Sequence, residues 1–440
     1  MIAPKSRLLL WTALLVVPAA TFAGVFPTAA VPLGLGLAAF AVIAAIDAIG
    51  SKKRLEGIRV FLPEVVRLTK GRAGPIEVRF ENAGQRGMRL RFGLPLPREI
   101  TSSQAEVYLS LPAETPSSGV DLDLVGNVRG RFVIEQCFVE APSLLGLWGR
   151  RRAFAVRSEI RVYPDLTSER AKVAALFLHQ GGLGVHRFRQ VGKGRDFEKL
   201  REYIAGDSAE DVHWKATAKR GRPVTKVFQI ERTQEVYVIV DGSRLSARHT
   251  GGVPLAERYV NSALVLCLAA AQQSDLFGLL AFSDRVQTFV RAKNGKAHYD
   301  ICRDALYTLQ AELVTPDFED LFTFIRTRLR RRALLIFLTS LDDPVLSATF
   351  VDNVNLLSRQ HLVMVNMMQP PFARPLFAGQ VPESIDDIYG RLSGHLLWHD
   401  LNEVGKKLQR QGVRFSLLQD ETMTASLVSN YLRIKQRQLL

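Results

Sequence analysis

Two long apolar stretches open the chain, at residues 8–23 and 25–49, and neither contains a charged side chain before Asp47. At about 1.5 Å per residue, each is close to the length that a helix needs to cross a hydrocarbon core of roughly 30 Å. Basic residues flank the pair: Lys5 and Arg7 before it, and Lys52, Lys53 and Arg54 after it. Because basic flanks stay on the cytoplasmic side, the pattern predicts a transmembrane helical hairpin at residues 1–54 in the inner (cytoplasmic) membrane.

An alternative for the same region is a cleaved signal peptide at residues 8–23, followed by one anchor or none. The hairpin is favoured because a second apolar stretch follows directly and ends in a basic cluster. Both ends of such a hairpin face the cytoplasm, so the soluble domains after about Arg54 are expected there.

Residues 55–165 change to short runs of alternating apolar and polar positions, broken by turns rich in Gly, Pro and Ser. The positions expected to face inward include Ile76, Val78, Phe80, Phe132, Ile134 and Phe138. A period of two with hairpin-like spacing predicts a small antiparallel β-sandwich. We interpret it as a spacer or a protein-docking module.

Residues 233–440 alternate between strand-length apolar runs and helix-length segments. Strands are predicted at residues 236–240, 277–282, 286–290, 334–339, 362–367 and 414–418. Helices are predicted at residues 255–273, 298–311, 318–329, 402–411 and 423–438. This alternation predicts a doubly wound, mostly parallel α/β sheet, with residues 286–290 as an antiparallel edge strand. Residues 166–232 form a basic connector between the two domains, with helices predicted at residues 170–179 and 197–203.

Composition narrows the function classes. With 440 residues, of which 47% are hydrophobic, the chain can bury two or three cores, so disorder is not expected. Its 58 Lys and Arg against 43 Asp and Glu give a net charge of +15, which suits nucleic acid or the anionic face of a membrane. The apolar stretches favour the membrane, and no nucleic-acid partner is expected. The three dispersed cysteines suit a reducing compartment.

A polar turn follows the first strand of the C-terminal domain. The sequence Asp241-Gly242-Ser243 resembles the Asp-x-Ser-x-Ser signature of von Willebrand factor A-like domains, and Thr315 matches the threonine of that family's second loop. The resemblance implies a metal-ion-dependent adhesion site in which these oxygens hold Mg²⁺, a hard cation that prefers oxygen ligands. The expected metal ligands are therefore Asp241, Ser243 and Thr315.

The sequence departs from the family pattern at two positions. Leu245, in this turn, stands in place of the second serine. Ser340, in a later loop, stands where the family carries an aspartate, with Asp342 or Asp343 as the candidate substitutes. The alternative to a metal site is therefore a polar turn that holds no ion.

A second motif lies in the connector and is longer and more specific. It consists of Gly192, Gly194, Asp196, Arg201, Tyr203, Gly206, Asp207, His213, Trp214 and Lys215. This block resembles the hallmark of the family named domain of unknown function 58. The resemblance implies a membrane hairpin, a β-rich middle and a C-terminal von Willebrand A-like domain. It also implies a MoxR-type AAA+ ATPase as partner, since relatives are commonly associated with these ATPases. The expected role of such an ATPase is that of a chaperone in assembling other proteins.

The charges of this motif suggest a structural role. Asp196, Arg201, Glu202, Asp207 and Lys215 can form ion pairs, while Trp214 is expected to be an apolar anchor. The hypothesis is a rigid clasp that ties the connector to the C-terminal domain and contacts a partner.

These observations favour a membrane-anchored interaction or adaptor protein over an enzyme. The adaptor would work with the ATPase and bind through the polar turn. The alternative is a hydrolase that uses Asp196, Asp207 and His213, which would require the three groups to converge in a pocket.

Overall fold

In a computed structural model, the described residues are 1–82, 87–104, 106–113, 117–179, 191–204, 207–229, 234–376, 378 and 384–436. Within them, the side chains at 176–179, 191–199 and 227–229 are left undescribed. The chain divides into two compact units, Met1–Asp165 and Leu166–Leu440.

The first unit begins with the helices α1 (Ser6–Val25) and α2 (Ala30–Gly50), joined by a short 3-10 turn at Pro27–Ala29. Both are long and apolar enough to cross a membrane, and only 11% and 6% of their most apolar windows are buried within the protein. Side chains this apolar are costly to expose to water, so the exposure is what a lipid-facing pair requires. The two predicted apolar helices are confirmed.

The rest of this unit is a β-sandwich. Its described strands are β1 (Ile2–Pro4), β2 (Ile58–Phe61), β3 (Val65–Thr69), β4 (Ala73–Asn82), β5 (Met88–Gly93), β6 (Ile100–Ser102), β7 (Val107–Leu111), β8 (Ser117–Gly126), β9 (Gly130–Pro142) and β10 (Trp148–Tyr163). One sheet has the order β1-β10-β9-β5-β7, with β3 also paired to β10, and the other has the order β2-β4-β8-β6. The apolar faces of the two sheets enclose one core.

Alternation along these strands follows the prediction except near the end of β9. Ile76, Val78 and Phe80 are buried as expected, but Phe138 is exposed. The ladder between β9 and β10 is irregular beyond Ile134, so two successive residues of β9 face solvent and the inward phase moves by one position. The inward orientation predicted for Phe138 was therefore wrong.

The second unit is an α/β domain. Its described helices are α3 (Thr167–His179), α4 (Trp214–Arg220), α5 (Leu255–Gln272), α6 (Lys296–Leu306), α7 (Phe318–Arg328), α8 (Pro344–Ser358), α9 (Ile385–Arg410) and α10 (Met423–Gln436). Its described strands are β11 (Val191–Glu202), β12 (Val224–Gln229), β13 (Glu235–Asp241), β14 (His249–Thr250), β15 (Val253–Pro254), β16 (Leu276–Phe282), β17 (Val286–Lys293), β18 (Leu334–Leu338), β19 (Leu362–Met368) and β20 (Arg414–Leu418).

The main sheet of this unit has the order β17-β16-β13-β18-β19-β20, and only β17 runs antiparallel to its neighbour. Helices α5, α6 and α10 pack on one face of the sheet, and α7, α8 and α9 pack on the other. The predicted doubly wound, mostly parallel α/β sheet with an antiparallel edge strand is confirmed.

Two predicted helices differ from the structure. The one predicted at residues 197–203 was wrong, because these residues belong mainly to β11, which pairs with β12. Strand pairing overrides the helix propensity of a short segment. The helix predicted at residues 402–411 is only the C-terminal part of α9, which begins at Ile385 and includes Gly394. A Cβ at Gly394 would lie 2.2 Å from the Phe372 carbonyl oxygen, so glycine is needed there for close packing.

Candidate functional site at the strand ends

The topology of the main sheet creates a crevice at the carboxyl ends of β13 and β18. From β13 the chain proceeds to β16 on one side, and it later returns to β18 on the other side. Connections that leave in opposite directions open a gap between them, which is where ligands bind in doubly wound folds. Asp241 is the last residue of β13, and Thr339 directly follows β18.

Asp241 is fully buried at this position and holds the turn together. Its Oδ1 accepts a hydrogen bond from the Ser243 N–H at 2.8 Å, and its Oδ2 accepts one from the Thr339 hydroxyl at 2.5 Å. Burial raises the pKa of Asp241 above the ordinary carboxyl value, although the bonds from Ser243 and Thr339 oppose the shift. Thr339, the residue before Ser340, is thus the one that contacts Asp241 from the end of β18.

The remainder of the turn is equally tight. Ser243 is buried, and its Oγ accepts a hydrogen bond from the Leu245 N–H at 3.3 Å. The Gly242 N–H donates to the Phe282 carbonyl at 2.7 Å, and a Cβ at Gly242 would lie 3.3 Å from that oxygen. Glycine therefore permits the close approach of the turn to β16.

Arg244 lies on the rim of the crevice. Its N–H donates to the Val314 carbonyl at 2.9 Å, which fixes the turn against the loop before α7. Its guanidinium donates to Thr315 Oγ1 at 3.4 Å and to Asp343 Oδ2 at 3.0 Å. The side chain is 41% exposed, so one cation joins the two loops while still facing solvent.

A second arginine, four residues later, also forms an ion pair with an aspartate of the loop before α8. The Arg248 guanidinium pairs with the Asp342 carboxylate, which is nearly buried, while Arg248 is about half exposed. Next to it, burial favours a higher pKa for Asp343, but the Leu346 N–H, Arg244 and the Val345 N–H outweigh it, and the pKa of Asp343 lies below its ordinary value. We call Arg244 and Arg248 the cationic rim.

The donor set does not fit a magnesium ion. Both oxygens of Asp241 accept hydrogen bonds from protein donors, and the Ser243 Oγ accepts one from a backbone N–H. Thr315 faces the Arg244 guanidinium, where a cation would be repelled. Among the described residues, no group of three or more His, Cys, Asp or Glu side chains could hold a metal. The turn brings Asp241, Ser243 and Thr315 together through Arg244, a residue that the motif comparison passed over.

The connector motif forms a clasp built on the β11–β12 hairpin. Arg201 donates to Asp207 Oδ1 at 2.6 Å, and Asp207 Oδ2 accepts from the Ile204 N–H at 3.0 Å and from Thr225 Oγ1 at 3.3 Å. These bonds, led by the one from Ile204 and followed by that from Arg201, lower the pKa of Asp207. The Tyr203 hydroxyl donates to the Asp207 carbonyl at 3.3 Å.

Some motif positions cannot be placed in the clasp. Gly192, Gly194 and Asp196 belong to the backbone of β11, and the Asp196 side chain lies outside the described residues. Gly206 also lies outside them. Lys215 is exposed on α4.

His213 and Trp214 have roles that differ from the expected ones. His213 Nδ1 accepts a hydrogen bond from the Ala216 N–H at 3.0 Å, so this ring caps the N-terminus of α4. Trp214 begins the helix and is 72% exposed, so its predicted role as an apolar anchor was wrong. Val224, which is fully buried in β12, lies inside the clasp instead.

Asp207 and His213, the described part of the proposed hydrolase triad, both make structural contacts. Asp207 already has three donors, and its lowered pKa makes it a weaker base than a free carboxylate. His213 uses Nδ1 to cap α4. A catalytic group needs a free lone pair or proton that faces a pocket. The contacts of Asp207 and His213 instead explain these two residues as parts of the clasp.

Comparison with known proteins finds a similarity to one family over part of the chain. No curated protein matches it significantly. Among solved structures, the SpRpn10 VWA domain is 8% identical and aligns with 45% of this chain and 95% of its own, with a TM-score of 0.30. A protein of unknown function from Porphyromonas gingivalis W83 is 14% identical, with 25% and 49% covered and a TM-score of 0.18. WR4, a C. elegans MSP family member, is 11% identical, with 24% and 97% covered and a TM-score of 0.16.

The family match covers the two regions described above. Residues 199–380 match the family described as protein of unknown function DUF58. The matched range begins in β11, contains the clasp and the cationic rim, and ends before α9. Over these residues the chain is similar to the DUF58 family.

Proposed function

We propose that this protein is a membrane-anchored adaptor without catalytic activity, whose cationic rim binds an acidic residue of a partner protein. The observation that carries the proposal is the contact of Arg244 with Thr315 and Asp343 at the strand-end crevice. A guanidinium binds a carboxylate with two parallel hydrogen bonds. Arg244 would thereby replace the magnesium ion that coordinates the partner's carboxylate in a von Willebrand A-like domain.

The bonds that Arg244 already makes do not block such a partner. Its ion pair with Asp343 is partly exposed, and exposed pairs are worth only about 0–1 kcal/mol. A partner carboxylate can therefore replace Asp343 at little cost, while Asp343 keeps its bonds to the N–H groups of Val345 and Leu346 at the start of α8. The internal acid occupies the site until a partner arrives.

The proposed partner is a MoxR-type AAA+ ATPase that acts in the assembly or maturation of other proteins. We further propose that α1 and α2 cross the inner membrane with both outer ends in the cytoplasm, so that the rim meets the ATPase there. The basic residues Lys5, Arg7, Lys52 and Lys53 support this orientation.

Arg244→Ala is expected to weaken binding of the ATPase at least about tenfold, or roughly 1.4 kcal/mol, because the cation that receives the partner's acid is lost. The measurement is the affinity of the full-length protein in lipid nanodiscs for a purified MoxR-type ATPase of the same organism. Arg79→Ala is the matched control, since Arg79 is also an exposed arginine in a surface ion pair. Equal affinities of the two variants would remove Arg244 from the binding site.

The clasp offers a second contact. Tyr203, Ile204 and Trp214 are all exposed, although apolar side chains of this size usually gain by burial. Exposed tryptophan and tyrosine are the residues that most often dominate binding energy at interfaces.

Trp214→Ala is expected to leave the stability of the protein within about 0.5 kcal/mol of wild type, because the side chain has little to lose on the surface. It should nevertheless weaken ATPase binding by about tenfold or more, as interface tryptophans do. Tyr108→Ala, at an equally exposed aromatic of the sandwich, serves as control. A Trp214→Ala protein that binds normally would restrict the partner to the cationic rim.

A further inference from the structure

The turn between β9 and β10 is bonded to the end of an apolar helix. Asp47, buried near the end of α2, accepts hydrogen bonds from the Ser143 hydroxyl at 2.5 Å and from the Leu145 N–H at 3.0 Å. The Trp148 indole N–H donates to the Ala44 carbonyl at 2.8 Å. The carboxylate of α2 is therefore covered by the turn.

These contacts run along one side of α2. Ala44, Asp47 and Gly50 are spaced by three residues, and together they span about 9 Å of helix. A Cβ at Gly50 would lie 4.0 Å from the Leu144 side chain, so the turn follows the helix to its last residue. We call residues 143–147 the interfacial turn.

The start of α1 holds the same turn from the other side. The Lys5 N–H donates to the Leu147 carbonyl at 2.9 Å, and β1 pairs with the first residues of β10. Leu8 and Leu147 form a small buried cluster with Ala44. Two helices and a strand thus fix the position of the turn within this unit.

In the proposed membrane crossing, the turn lies near the depth where a bilayer changes from lipid tails to headgroups. Ala44 precedes Lys52 by eight residues, or about 12 Å of helix. The headgroup region is roughly 5–7 Å thick on each side of the hydrocarbon core. With Lys52 at the aqueous edge, Asp47 is about 7.5 Å from that edge and lies at the hydrocarbon boundary, while Ala44 lies about 5 Å inside it. Tryptophan such as Trp148 is enriched near this boundary.

The tip of the interfacial turn is apolar and is bordered by basic residues. Leu144 is 74% exposed and Leu145 is 55% exposed, side by side on a turn that polar residues would suit better in water. Exposed basic residues of this unit border it in the sequence or at the helix ends: Arg7, Lys52, Lys53, Arg151 and Arg152. An apolar tip with basic neighbours is the combination that enters an anionic membrane surface.

We propose that the interfacial turn is a lipid-binding site, in which Leu144 and Leu145 enter the boundary between headgroups and acyl chains beside α2. This inference rests on the proposed membrane crossing of α1 and α2. The turn then fixes the β-sandwich to the membrane surface, in addition to the covalent link after α2.

The test uses the full-length protein in nanodiscs that contain anionic lipid, with a single NBD label at Leu144→Cys or Leu145→Cys. Cys137, Cys267 and Cys302 are buried and remain unlabelled in the folded protein. Lipids with a doxyl quencher high on the acyl chain report insertion. Leu10→Cys, on exposed α1, is the membrane control, and Tyr108→Cys is the aqueous control.

Both turn labels should be blue-shifted and quenched nearly as strongly as the label at Leu10, whereas the Tyr108 label should not respond. Quenching at Leu10 without quenching at either turn position would overturn the lipid contact and leave the membrane crossing intact. No quenching at Leu10 would refute the crossing and the lipid contact together. Two labelled positions keep the test valid if one variant fails to fold.

Discussion

Phe350→Ala is expected to lower the free energy of unfolding of the C-terminal unit by about 3–5 kcal/mol, among the largest single effects in this unit. Phe350 is fully buried in α8, and its ring contacts those of Phe318, Phe322 and Phe337 at centroid distances of 5.1, 5.2 and 5.4 Å. These edge-to-face contacts join α7 and α8 to β18. Removing the ring leaves a cavity that rigid neighbours cannot fill.

Hydrogen exchange measured by mass spectrometry on the amides of β18 gives the loss directly, since these amides exchange through large openings of the unit. Phe372→Ala is the matched control, because Phe372 has an exposed side chain in the same unit. The control should change exchange by no more than about 0.5 kcal/mol. Similar exchange in both variants would contradict the assignment of Phe350 to the core.

Asp241→Ala is expected to destabilise the same unit by several kcal/mol and to disorganise the cationic rim. The substitution leaves the Ser243 N–H and the Thr339 hydroxyl without an acceptor in a buried place, at about 1–3 kcal/mol each. Arg244, which follows this turn, would then lose its fixed position against Val314. ATPase binding should fall together with stability.

Asp241→Asn separates the shape of the side chain from its charge. An amide oxygen can still accept from Ser243, and the amide N–H can donate to the Thr339 oxygen. Because the folded-state pKa of Asp241 is raised, the buried charge costs stability above that pKa, and the wild type gains stability as the pH falls toward the ordinary carboxyl value. The Asn variant should lack this gain and be the more stable protein at neutral pH.

The stabilities of the wild type, Asp241→Ala and Asp241→Asn are compared by measuring hydrogen exchange of the β13 amides as a function of pH, with correction for the intrinsic exchange rates. An Ala variant as stable as wild type would show that Asp241 does not hold the turn. A shared pH dependence of the wild type and the Asn variant would assign the titration to another group.

Regular patterns made most of the fold predictable from the sequence. The β13 strand is a run of buried apolar residues that ends in Asp241, so both the strand and the polar turn after it could be read directly. The alternation at Ile76, Val78 and Phe80 likewise defines an inward face. In both cases local sequence and tertiary burial agree, which is why the period of the pattern was sufficient.

The errors arose where a distant partner decides the outcome. Residues 197–203 lack strand alternation, and only their pairing with β12 makes them a strand. The position of Arg244 depends on loops about 70 and 100 residues away, as its bonds to Thr315 and Asp343 show. One signal was available: arginines four residues apart, opposite two consecutive aspartates, Asp342 and Asp343.

The central claim is that Arg244, rather than a metal ion, receives the partner's acid. The most direct measurement is the affinity of the full-length protein for the nucleotide-free ATPase in EDTA and again in excess MgCl₂, for the wild type and Arg244→Ala. The account predicts equal wild-type affinities in the two buffers and a loss of at least about tenfold in the variant under both conditions. Binding that disappears in EDTA, returns with Mg²⁺ and does not depend on Arg244 would contradict it.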